Sequence, residues 1–284
     1  MPVRSALAVA TLLALSTGAT ATGSQPAGAC SVAPLSGTVL ERGAASVRHF
    51  RRIQARERRP GLMGFRRGPR LGPPTKAERT RISEARQIRR DFGLNPSTLL
   101  IRRLARDHSH RSRRSFWLPP LRVTALEERD LRVRERVETG GLNELDRYVK
   151  HCARKTYAGM YFDRDRPWPA EYRIVVLFKG PLERHRELFR TRLRYHSLMP
   201  VRHGRFSLRD LGAVQERLDA DWDQWKRDGF ELNTQGFDAR RNAIVVGIGN
   251  PSRRATDAFR ERYGSAVILE GIEIVGRMIA RRNP

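Results

Sequence analysis

Lysine is nearly missing from this chain: among 56 basic residues only Lys76, Lys150, Lys155, Lys179 and Lys226 are lysines, and the rest are arginines. Acidic residues are also scarce, 30 in number, leaving a formal net charge of +26. An arginine excess has two sources, a GC-rich coding composition and a use for the charge, and only its distribution speaks to the second. With two cysteines, Cys30 and Cys152, the chain has neither a cysteine-dense scaffold nor a zinc signature. None of the seven histidines stands in a His-Glu-x-x-His frame. Gly-x-Ser-x-Gly, Gly-Asp-Ser-Gly and a cysteine in a glycine-rich turn are all absent. Carboxylates such as Asp163/Asp165 and Asp219/Asp221/Asp223 fall on a loop and a helix surface and read as solvated charge. The expectation is a noncatalytic protein with no catalytic, cofactor-binding or metal-binding residues and no cofactor.

The charge that is present is unevenly placed. Residues 41–114 carry 22 basic and 6 acidic side chains, residues 115–150 carry 7 of each, and residues 151–284 carry 26 and 17. A surplus concentrated in the N-terminal half attracts polyanions. Arg51, Arg52, Arg58, Arg59, Arg66 and Arg67 are the candidate anion-binding residues.

The first residues, MPVRSALAVATLLALSTGATA, contain Arg4, an apolar run from Ala6 to Leu15 and the small-x-small triplet Ala19-Thr20-Ala21. That run is too short to span a bilayer. The pattern predicts a signal peptide over 1–21 and a secreted or cell-surface protein. Two cysteines fit an oxidising compartment, where they either pair or do not. Ala27-Gly28-Ala29-Cys30 leaves lipidation at Cys30 open.

Downstream, 22–74 is rich in Gly, Pro, Ser and Arg and has little periodic apolar content, which predicts a disordered basic linker. Residues 75–139 read as a helical region. Thr75 with Glu78 forms a capping box and Gly93 ends the first helix; a second runs from Asn95 to Asp107 with Pro96 at its first position; Thr124–Val137 and Asn143–Ala153 follow.

The stretch AIVVGIGNPSRRATDAF (243–259) has the outline of a phosphate-binding turn. Ser252 stands where the third glycine of a dinucleotide fingerprint belongs, and no P-loop Lys and Ser/Thr are present. A better explanation comes from RIVVLFKGPLERHRELF (173–189), which aligns with it at an offset of 70 without a gap. Ile174, Val175, Val176, Pro181, Arg184 and Phe189 fall on Ile244, Val245, Val246, Pro251, Arg254 and Phe259. Leu177 and Lys179 replace Gly247 and Gly249, so a phosphate cradle is not what the copies share. The glycines are expected to ease a turn. Apolar segments 198–201 and 266–269 follow each helix, giving a duplicated strand-strand-helix-strand (ββαβ) unit. Between the copies, Leu208, Leu211, Val214, Leu218, Trp222 and Trp225 recur at intervals of three and four behind Ser207 and Asp210, a capping box opening a long amphipathic helix. The fold class expected is α+β: a duplicated ββαβ domain over 140–275, preceded by a basic, helical and partly disordered N-terminal region.

TYAGMYFD (156–163), RIVVLFKG (173–180), RFSLRDLGAVQERLD (205–219) and FDARRNAIVVGI (237–248), with Asp238 and Asn242 in the last, resemble the propeptide of alpha-lytic and streptogrisin-type bacterial serine proteases. They also resemble stand-alone exported actinobacterial proteins of the same pattern. The match spans about 140–275 and its motifs are structural. The resemblance implies a folding chaperone and inhibitor of a secreted serine protease, with a C-terminal tail that enters the protease site. Carried over to this chain, the tail is 276–284, and Arg277, Met278, Ile279, Ala280 and Arg281 are the candidate partner contacts. After Glu270 only GIEIVGRMIARRNP remains, so the expectation is a propeptide-like protein without a protease domain, acting in trans or reusing the fold. The preferred function is exported protein binding, by a sheet edge or the tail, to a secreted serine protease or another exported protein. The alternative is binding of an anionic cell-surface polymer or nucleic acid through the arginine-rich arm.

Overall fold

The computed structural model describes residues 30–58, 71–107, 112–114, 121–163 and 172–271. The signal peptide expected over 1–21 lies outside these residues. The described chain is mixed helix and sheet, an α+β protein, and its contacts divide it into two compact units, Ser31–Gly204 and the residues from Arg205 onward. The division falls inside the 140–275 region expected to be one domain. The helical region, with the first ββαβ segment, belongs to one unit, and the amphipathic helix belongs with the second.

The first unit opens with α1 (Gly37–Arg58), which corrects the expectation of disorder over 22–74 for this stretch. Val47, Phe50 and Ile53 recur every three residues and are buried, with Phe50 fully enclosed. Phe50 meets the Tyr172 ring edge-on at 6.1 Å. One narrow apolar stripe is enough to dock a helix whose exposed residues include Arg42, Arg48, Arg51, Arg52 and Arg56.

Next come α2 (Lys76–Asp91) and α3 (Thr98–Arg106). Thr75 accepts from the Glu78 amide as expected, and the Glu78 carboxylate pairs with Arg102 at 2.8 Å. The cap of α3 is Ser97, so Pro96 precedes the helix instead of starting it. Strands β1 (Ser112–Arg114) and β2 (Arg122–Thr124) form an antiparallel ribbon, and α4 (Ala125–Arg136) starts on a Thr124/Glu127 capping box. The chain then runs through a π-helical turn (Val137–Gly141), α5 (Leu142–Tyr148) and a second π turn (Val149–Ala153). Cys30 and Cys152 are both disulfide-bonded, and the sequence holds no third cysteine.

Several arginines of this region are internal. Arg89 is fully buried; it donates to the Arg122 carbonyl at 3.1 Å and pairs with Glu127. Arg134 pairs with Asp130, which is likewise fully buried. Burial pushes the Glu127 and Asp130 carboxyls up, while Arg89 and Arg134 pull them down. These groups pin α2, β2 and α4 around Leu94, Leu121, Val123 and Leu131.

The first ββαβ segment is β3 (Tyr157–Phe162), β4 (Ile174–Phe178), α6 (Glu183–Arg192) and β5 (Val201–His203). β3 pairs antiparallel with β4, and β5 pairs parallel with it. Every β4 residue is buried, which explains why it reads as an unbroken apolar run. In the second unit α7 (Leu208–Arg227) precedes β6 (Leu232–Asp238), β7 (Ala243–Ile248), α8 (Arg253–Tyr263) and β8 (Val267–Gly271). The same pairing recurs: β6 antiparallel and β8 parallel to a central β7.

The Ser207/Asp210 capping box is present, and Leu211, Val214 and Leu218 pack with Ile244, Val246, Ile248 and Phe259 into one core, flanked by Trp222 and Trp225. Trp225 stacks on Phe259 at 4.5 Å and donates to the Tyr263 hydroxyl at 2.7 Å, a core role for this tryptophan. Gly247 lies within β7 and not in a turn, and Pro181 and Pro251 each sit two residues before the first helical residue instead of at it.

Candidate functional site

Asp238 and Asn242, the two residues singled out in the propeptide resemblance, lie in the β6–β7 hairpin of the second unit. Asp238 accepts at the same Oδ1 from the amides of Arg240 (2.9 Å) and Arg241 (3.1 Å), shaping the β6–β7 hairpin. Asn242 completes it at φ 50°, a conformation Asn tolerates better than most residues. Its buried amide accepts from the Phe206 N–H at 2.8 Å and donates to the Phe206 carbonyl at 2.9 Å. Asp238 and Asn242 are therefore architectural: they tie the hairpin to the residue preceding the Ser207 cap, and with it fix where β6 runs.

That strand is the open edge. β6 pairs with β7 alone among the described residues, and Asn233 through Phe237 are exposed along it. Phe237 is 38% exposed, a large apolar side chain on a strand with unpaired backbone beside it. Opposite, β8 forms the other edge and ends at Gly271. An edge of this kind supplies backbone donors and acceptors in register for an added strand, with alternate side chains available for specificity.

Arg277, Met278, Ile279, Ala280 and Arg281 lie outside the described residues, as do Arg59, Arg66 and Arg67. Of the candidate anion-binding residues, Arg51 and Arg52 are exposed on α1, and Arg58 is its last residue. Arg48 and Arg56 are exposed on the same helix. The structure thus gathers part of the predicted arm on an ordered helix.

A second internal polar cluster of the first unit is built on His185. His185 stacks on Phe178 at 4.0 Å, with Nδ1 2.7 Å from the Tyr148 hydroxyl and Nε2 3.2 Å from the Thr156 hydroxyl. Burial, with the charge of Arg184 adding to it, lowers the imidazole pKa, and burial pushes the Tyr148 phenol up to about 12. Both groups are thereby held neutral and mutually hydrogen-bonded. Among the described residues no carboxylate hydrogen-bonds to this imidazole, so the arrangement is that of a satisfied core. Among the described residues no group of three or more His, Cys, Asp or Glu is placed to hold a metal ion, and no helix is long and apolar enough to cross a membrane.

Sequence reasoning missed the buried ion pairs Arg89–Glu127 and Arg134–Asp130. Their local signals were Thr124-x-x-Glu127, the capping box of α4, and the i,i+4 spacing of Asp130 and Arg134 on the same helix; neither announces burial. No protein-family model matches the chain, and no curated protein matches it.

Proposed function

We propose that this is an exported, noncatalytic protein-binding module of the propeptide type, a duplicated ββαβ protein that engages a secreted serine protease or another exported protein through strand addition. The observation that carries the reading is the exposed β6 edge, with Phe237 on it and Asp238 and Asn242 fixing its course. The recurrence of one pairing pattern in β3-β4-β5 and β6-β7-β8 supports descent from a duplicated unit. The expected tail contacts, Arg277 to Arg281, extend the same strategy beyond β8.

The test is an inhibition titration of a mature alpha-lytic-type protease with the full chain and with a form lacking residues 276–284. Saturable inhibition that persists at high salt and is lost on truncation establishes a propeptide acting in trans. Inhibition retained by the truncated form assigns the contact to the sheet edge. An absence of inhibition by either form removes this class of protease as the partner.

A second reading, polyanion binding at a cell surface, is favoured by one observation: Arg48, Arg52 and Arg56 project from α1 without an ion-pair partner among the described residues. Salt separates the two, because binding through phosphates weakens steeply as salt rises.

A further inference from the structure

A cavity of about 260 Å³ lies in the Ser31–Gly204 unit, lined by Ala45, Ser46 and His49 of α1, Val133 and Arg136 of α4, and Tyr195. Ala45 and His49 are four residues apart and Val133 and Arg136 three apart, so each helix contributes one face.

Its third wall is firmly held. The Arg194 amide donates to Glu144 Oε2 at 2.9 Å, and the Arg194 guanidinium pairs with the other oxygen of that carboxylate. A Cβ on Gly43 would stand 2.3 Å from the Arg194 carbonyl oxygen, so only a glycine lets α1 come this close to the segment that carries Tyr195. A Cβ on Gly141 would stand 3.3 Å from the Tyr195 ring and 2.5 Å from Met199 Cε. Gly141 belongs to the π-helical turn that follows α4, and such turns recur at functional sites. Bare backbone at Gly141 thus faces the phenol ring, and at Gly43 it faces the backbone of the preceding residue, Arg194.

The polar groups facing the cavity are cationic or neutral. Arg136 and His49 have no hydrogen-bond or ion-pair partner among the described residues. The pattern of α4 explains why. Arg132 and Arg134 each pair with an acid four residues earlier, Glu128 and Asp130, whereas the residue four before Arg136 is Arg132 itself. Arg52, one turn beyond His49 on α1, adds a further exposed positive charge.

We propose that this cavity binds a small organic anion: a single phosphate or carboxylate headgroup on a ring-sized apolar body. A free guanidinium presents a planar fork of donors that matches an oxyanion. The Tyr195 ring, Val133 and Ala45 supply apolar walls that a bare inorganic ion would leave unused. The pocket is half open, with Ala45, His49 and Arg136 exposed at its rim, and its volume of about 260 Å³ leaves room for a ring over Val133 and Tyr195. The site stands on the first unit and does not depend on strand addition at β6.

The experiment is calorimetric titration of the full chain with phenyl phosphate and, separately, with inorganic phosphate at physiological salt. Phenyl phosphate is expected to bind saturably at one site, and more tightly than inorganic phosphate by about tenfold, the equivalent of about 1.4 kcal/mol. Arg136→Gln weakens that binding by about tenfold or more, since a charge-assisted contact is lost. Arg209→Gln, which removes the same charge from exposed α7, leaves it unchanged. His49→Gln weakens both anions, and Tyr195→Leu abolishes the preference for the aryl ester. The proposal is overturned if no saturable binding occurs, if the two phosphates bind equally, or if Arg209→Gln weakens binding as much as Arg136→Gln.

Discussion

The side chain of Asn242 satisfies both backbone polar groups of Phe206, accepting from its N–H at 2.8 Å and donating to its carbonyl at 2.9 Å. These two residues are 36 positions apart, and the bonds hold the β6–β7 hairpin against the start of α7. Asn242 also carries a positive φ of 50°. Two effects are therefore separable by substitution. Asn242→Ala loses the two hydrogen bonds and places a less tolerant residue in the left-handed region, for a loss of about 2–4 kcal/mol. Asn242→Gly loses the bonds but not the backbone freedom, so it is expected to be the milder variant. Denaturant unfolding of both proteins checks the order; an alanine variant as stable as the glycine variant would refute the role assigned to the positive φ.

Arg89 and Glu127 make a second long-range pair, 38 positions apart and almost fully buried. Removing one partner strands the other charge, which typically costs about 3–5 kcal/mol. Arg89→Met alone is therefore strongly destabilising. Arg89→Met with Glu127→Gln recovers a substantial part of the loss, because no uncompensated charge remains and the side-chain amide oxygen still accepts from the Thr124 N–H, as the carboxylate does in the capping box. A double-mutant cycle on unfolding free energy measures the recovery, and strict additivity would count against the pair acting as a unit.

These two relationships show where the sequence is transparent and where it is opaque. The ββαβ order was legible because strand and helix periods are local, and β4 and β7 are apolar runs bounded by Gly and Pro. The Ser207/Asp210 cap was legible for the same reason. α1 was not, since its buried stripe is only Val47, Phe50 and Ile53 within a helix of many arginines. The charge count also misled about Arg89 and Arg134: composition treats every arginine as solvated, nothing local says that Glu127 of another element will meet Arg89, and the i,i+4 spacing of Asp130 and Arg134 does not say that the pair is buried. Asp238 and Asn242 were visible as a motif, but their work is done on backbone groups that the motif does not name. The Arg136 cavity needs three elements brought together, so no single stretch announces it.

The disulfide gives a compartment-sensitive prediction. Both cysteines are bonded, so protein taken from its native compartment should show no reactive thiol under denaturing conditions. Cys152→Ser is expected to cost about 2–5 kcal/mol, the range for removing a native bridge from a secreted domain. Thiol titration of the denatured protein checks the first point. Two thiols per chain would argue against export, since reducing compartments keep such pairs open.

The His185 cluster sets an acid limit on the first unit. Burial lowers the imidazole pKa below its ordinary value of 6.5, and the charge of Arg184 acts in the same direction. A base whose folded pKa is depressed stabilises the fold fully above its unfolded value, and that contribution is lost as pH falls through the folded one. Stability should therefore be flat with respect to this group above about pH 6.5 and decline below it, where the unfolded chain takes up a proton that the folded chain resists. The groups facing the ring are the hydroxyls of Tyr148 and Thr156 and the Phe178 face, none of which can stabilise an imidazolium as a carboxylate would. His185→Gln keeps a polar partner for Tyr148 but cannot titrate, so it should lower stability at neutral pH and flatten the slope below about pH 6.5. Urea midpoints measured for both proteins between pH 7.5 and pH 5 decide it, and an unchanged slope in the variant would place the acid sensitivity elsewhere.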